Sequence, residues 1–96
     1  MPTTAYRPSP DVLLTELQDG SGVLLHLRTK FYYTLNRTGV AAWKLVAGGK
    51  AGTVEAMAAG IAGGFRDAPE EAVLKDVVAL VRELVDEGLL LPPAGV

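Results

Sequence analysis

Residues 22–46, GVLLHLRTKFYYTLNRTGVAAWKLV, decide how the rest of the chain is arranged. Val23 to Leu27 is an apolar run interrupted by His26, Arg28-Thr29-Lys30 is a polar turn, and Phe31 to Leu35 is aromatic and β-branched enough for a second strand. Thr38 then offers a cap for a helix that turns Ala42, Trp43 and Val46 inward. Side chains alternate along a strand, so Phe31, Tyr33 and Leu35 share one face while Tyr32 and Thr34 share the other. Leu35, adjacent to the helix start, marks the core side, which predicts Phe31 and Tyr33 inward and Tyr32 outward.

Upstream, Val12 to Leu17 reads as a strand, and the turn Asp19-Gly20-Ser21-Gly22 folds it against Val23 to Leu27. Three antiparallel strands therefore follow one another as a meander. Residues 1–10 hold three prolines and no periodicity, which predicts a frayed arm.

Downstream, Gly48-Gly49 ends the first helix and Thr53 caps a second, whose narrow apolar face is Val54, Met57, Ala58, Ile61, Ala62 and Phe65. Gly60, Gly63 and Gly64 each weaken it by roughly 1 kcal/mol relative to alanine, which predicts a short helix. Pro69 suits the first turn of a third helix ending at Gly88, with Glu70 and Glu71 favoured by its dipole. Val73, Val77, Leu80 and Leu84 form one apolar stripe and Leu74, Val78, Val81 and Val85 a second beside it. Together they span about 160°, where about 100° suffices to face one core. The surplus is available to a partner, or packs under the sheet or the C-terminal Leu89-Leu90-Leu91.

This pattern predicts an α+β domain, winged helix-turn-helix-like, with a three-stranded antiparallel N-terminal sheet followed by three helices. Its expected bounds are residues 11–91, between an arm over 1–10 and a tail over 92–96. With 96 residues, 49% hydrophobic and 21% charged, the chain has the composition of one globular domain. No cysteine is present, which removes disulfides, thiolate metal sites and cysteine nucleophiles. A signal peptide and a membrane span are both missing from the pattern, so the expectation is a soluble cytoplasmic protein with no membrane partner.

Catalysis finds little support. The single histidine, His26, sits mid-strand with no acid or nucleophile near it in sequence, and no metal spacing or phosphate loop accompanies it. The expectation is a binding module without cofactor or metal. DNA is the ligand a winged helix suggests, yet residues 69–88 hold two basic side chains, Lys75 and Arg82, against six acidic ones. Such a helix repels phosphate, which argues against nucleic acid.

A peptide fits better. If Phe31 to Leu35 is an edge strand, its free backbone groups add a strand from another chain, and the groove beside the third helix receives alternate side chains. Residues 1–50 carry net charge +3 and residues 51–96 carry −5, so a basic strand edge faces an acidic helix. Arg28, Lys30 and Arg37 flank the strand as gatekeepers against aggregation and as partners for acidic residues of a peptide; Asp76 and Glu83 offer the complement from the helix. A dimerisation domain using the same edge is the alternative.

The set formed by the aromatic strand, Leu35-Asn36, Thr38-Gly39, Trp43, Asp76-Val77 and Glu87-Gly88-Leu89 resembles the PqqD-like peptide-recognition proteins of ribosomal peptide natural-product pathways, over roughly residues 10 to 91. FYYTLN followed by TG and W is most similar to the stand-alone leader-binding proteins of lasso peptide biosynthesis. The resemblance implies that the leader of a precursor peptide pairs with the third strand and rests against the third helix. The residues then implicated are Arg28, Lys30, Phe31, Tyr32, Tyr33, Thr34 and Leu35 on the strand side, and Val73, Leu74, Asp76, Val77, Leu80, Val81 and Leu84 on the helix. It also implies a leader peptidase as the enzyme partner or, in PqqD-type systems, a radical S-adenosylmethionine enzyme. The Lys30 turn departs from the family in lacking its frequent glycine, and residues 47–66 are richer in Ala and Gly.

Overall fold

The computed structural model describes residues 5–49, 52–64 and 69–92. Its elements are β1 (Arg7–Pro8), β2 (Val12–Glu16), β3 (Gly22–His26), β4 (Tyr32–Leu35), α1 (Arg37–Ala47), α2 (Val54–Gly64), α3 (Glu70–Asp86) and β5 (Leu90–Leu91). The fold is α+β, a three-stranded antiparallel sheet followed by three helices. The side chains of Ala62 and Glu70, together with Phe65 and tail residues 93–96, lie outside the described residues.

The meander runs in the order β2-β3-β4. Leu24 pairs with Leu14 on one side and Tyr33 on the other, so the period-two pattern sends this row, with Leu35, to the helices. Asp19 accepts from the Ser21 backbone at 2.9 Å, and Gly20 at φ +90° completes the β2–β3 turn in a conformation that side chains resist. The β3–β4 turn uses His26. Its ring is buried, and Nδ1 accepts from the Arg28 and Thr29 backbone amides at 3.3 and 3.4 Å. In the same turn Lys30 takes φ +62°, the backbone state for which glycine is the usual choice.

Helix α1 starts earlier than Thr38 suggested. Asn36 is the cap, its Oδ1 accepting from Gly39 N at 2.8 Å, because an extended Asn36 directly follows the strand and asparagine caps better than threonine. Ala42, Trp43 and Val46 are buried as expected. Thr53 caps α2 through Ala56 N at 3.1 Å, with Met57, Ala58 and Ile61 in the core. This helix is not short; it has 11 residues, as many as α1. Gly60 helps explain why, since a Cβ there would lie 2.9 Å from Leu45 Cδ1 and glycine lets α1 and α2 approach.

Pro69 occupies the cap position of α3, one residue before the first helical turn. The helix closes on Gly88 at φ +75°, with Leu89 N bonding Leu84 O at 2.9 Å and Gly88 N bonding Val85 O at 3.0 Å. The described part of the expected arm is tied down. Arg7 and Pro8 pair with Leu91 and Leu90, Ser9 N bonds Leu89 O at 3.1 Å, and Tyr6 N bonds Gly52 O at 2.7 Å. No local periodicity announces this pairing, because its partner lies at the far end of the chain.

Candidate functional site

Strand β4 has one neighbour, β3, and no strand among the described residues pairs with its other edge. Along it Tyr32 is 67% exposed, Tyr33 is half-buried against the core, Thr34 is exposed and Leu35 is buried. Phe31 corrects the inward expectation. It lies one residue before β4, its carbonyl oxygen accepts from His26 N at 2.9 Å, and its side chain is 37% exposed at the rim of the sheet.

Beside the end of this strand lies a groove of about 360 Å³. One wall is the start of α1, with Asn36, Thr38 and Gly39; the other is α3, with Asp76, Leu80 and Glu83 around Val77 and Ala79. The Tyr33 hydroxyl crosses from β4 to α3 and donates to the Glu83 carboxylate. Desolvation first, then the hydrogen bond to Glu83 and the charges of Glu83 and Glu87, push the Tyr33 phenol up to about 12.

The two stripes read from α3 are re-sorted by the packing. Val73, Val77, Val81 and Leu84 are buried, so the inward direction bisects the two stripes and splits the surplus between two flanks. Leu80 lies half-buried on the groove flank; Leu74, Val85 and Val78, the last 38% exposed, lie on the other. The candidate residues divide accordingly. Asp76, Val77 and Leu80 meet at the groove, and Tyr33 reaches its α3 wall through Glu83. Leu35, Val73, Val81 and Leu84 are core side chains, and Leu74 faces away from the groove. Arg28 stands 3.9 Å from Asp11 at the exposed turn, next to Lys30.

Asn36, Thr38, Gly39 and Ala79 were not among the candidates, whereas Glu83, read from the sequence as a helix-side charge for the peptide, does line the groove. The cap pattern Asn36-x-x-Gly39 and the seven-residue spacing from Asp76 to Glu83, two helical turns, are the signals that point to them.

The sheet's outer face is a second surface. Leu13, Leu25 and Tyr32 form one cross-strand row, Thr15, Val23 and Thr34 the next, and none is charged. Leu13 is 54% exposed.

The family profile of coenzyme PQQ synthesis protein D (PqqD) matches residues 21–90, which spans all three helices and two strands of the sheet. The chain belongs to the PqqD family. This PqqD-family fold is shared with the solved structure of TbiB1 in complex with the TbiA(beta) leader peptide. The two chains are 28% identical with a TM-score of 0.75, over 88% of this chain and 94% of that one. A lasso peptide synthetase B1 complexed with the leader peptide matches at 24% identity and a TM-score of 0.74, over 92% of this chain and 99% of that one. No curated protein matches the sequence.

Proposed function

We propose that this PqqD-family chain is a non-catalytic recognition domain that holds the leader region of a ribosomally made precursor peptide as an added strand on β4 and delivers it to a leader peptidase. The observation that carries the reading is the free edge of β4 beside the α3 groove. An extended peptide on that edge gains main-chain hydrogen bonds, while its alternate side chains reach Leu80 and the α1 start. Leader binding is expected between about 1 μM and tens of nanomolar, or about −8 to −10 kcal/mol. His26 is already committed to the β3–β4 turn, which supports a binding role over a catalytic one. On α3, the exposed carboxylates of Asp76, Glu83 and Glu87 oppose a DNA-binding reading.

The TbiB1 structure is a leader-peptide complex, which supports leader binding here, and the resemblance of FYYTLN, TG and Trp43 to lasso-type leader-binding proteins favours a peptidase as partner. The match to coenzyme PQQ synthesis protein D favours, as a second reading, the partner of a radical S-adenosylmethionine enzyme. On either reading the enzyme would dock on the outer face of the sheet, where the rows of Leu13 and Thr15 carry no charge.

The test is a titration of a labelled leader peptide. Saturable binding between about 1 μM and tens of nanomolar, lost in a folded Leu80→Asp variant, is expected. Unchanged binding in that variant would contradict the groove.

A further inference from the structure

The wall that α3 turns to the groove is more acidic than strand addition requires. At ~100° per residue, Asp76, Glu83 and Glu87 fall on the same side of the helix as Leu80. Both Glu83 and Glu87 act on the Tyr33 hydroxyl, so their charges reach along β4. The cations of α3 are elsewhere. Lys75 and Arg82 line hollows on the opposite flank, beside Val78. The two ion pairs among the described residues, Arg28 with Asp11 and Lys44 with Glu16, also leave this wall without a cation. Glu83 has a neutral partner, the Tyr33 phenol.

Between the two carboxylates stands Leu80, half-buried, four residues after Asp76 and three before Glu83. Apolar surface flanked by uncompensated negative charge suits a long side chain with a methylene stem and a cationic head. We propose that Asp76 is a specificity residue of the groove, selecting a peptide whose lysine or arginine lays its stem over Leu80 and sets its head between the Asp76 and Glu83 carboxylates, beside Asn36. The inference rests on the peptide-binding reading above. With Lys30 at the opposite end of β4, the groove then carries charge of opposite sign at its two ends. That polarity fixes the direction and register of an added strand, which main-chain hydrogen bonds alone leave loose.

The test selects a phage-displayed library of random twelve-residue peptides on the wild-type protein and on Asp76→Asn. This substitution changes an exposed side chain, and circular dichroism checks its fold. The expected result is a shared apolar pattern in both pools, with a Lys/Arg position enriched only by wild type. A selected peptide and its Lys→Gln form are then titrated against both proteins. Each single change should weaken binding about two- to fivefold at low salt, with no further loss when combined. Peptides that enrich without a basic position, or with the same one on both proteins, would overturn this inference and leave the groove standing. Failure of the wild-type protein to enrich any peptide would overturn both.

Discussion

The Tyr33 hydroxyl donates to the Glu83 carboxylate, tying the free-edged strand β4 to helix α3 across fifty residues of sequence. This bond links the edge strand to the α3 wall of the groove. It also gives the site a titratable reporter.

Tyr33 is held protonated in the folded state, its pKa raised from 10 to about 12. A raised folded pKa means that the contribution to stability is complete below pH 10 and is lost as pH rises toward 12. Tyr33→Phe is expected to remove this step from the alkaline stability profile, and Glu83→Gln to move the phenolate transition near 295 nm to lower pH. At neutral pH, urea unfolding of Tyr33→Phe should show a loss of only about 0.5 kcal/mol, because the pair is open to water.

The cap assignment separates two neighbouring residues. Asn36→Ala removes the acceptor for Gly39 N and is expected to cost about 1 kcal/mol in urea denaturation. Thr38→Ala, inside the first turn, should cost clearly less. Equal losses would return the cap to Thr38.

Lys30 occupies φ +62° where most side chains are strained. Lys30→Gly is expected to stabilise the domain by about 0.5 to 1 kcal/mol, read as a higher urea midpoint with an unchanged slope. The reverse change at the helix stop, Gly88→Ala at φ +75°, should destabilise by about 1 kcal/mol.

The outer sheet face and the groove separate by mutation. Leu13→Asp, on the strand farthest from β4, is expected to leave leader affinity within about twofold of wild type while slowing cleavage by the partner peptidase at least tenfold. Leader-binding titration and a cleavage assay on the same preparation check both. Equal leader affinity with full cleavage would remove the enzyme from this face.

The meander was legible because its strands carry their own turn residues and a period-two pattern, and the helices because Trp43, Thr53 and Gly88 mark faces and ends locally. Three features were not. The β1–β5 pairing joins two short segments whose only signal is each other. Leu80 and Val81 are adjacent members of two plausible stripes, and the packing of α2 on α3 decides which is buried. Phe31 shares its parity with Leu35 yet is exposed, because alternation sets which face a side chain takes and not whether anything covers it at the rim of the sheet. For the site, Asp76, Val77 and Leu80 were in view, whereas the α1 start entered only once Asn36 proved to be the cap.

The antiparallel match of Arg7–Pro8 with Leu90–Leu91 brings the first and last described strands together, and Tyr6 and Pro92 border the hollow beside Val78 and Val85. That hollow lies on the flank of α3 remote from Leu80. A tether joined at Tyr6 or at Pro92 would start behind the helix, on the side away from the cleft.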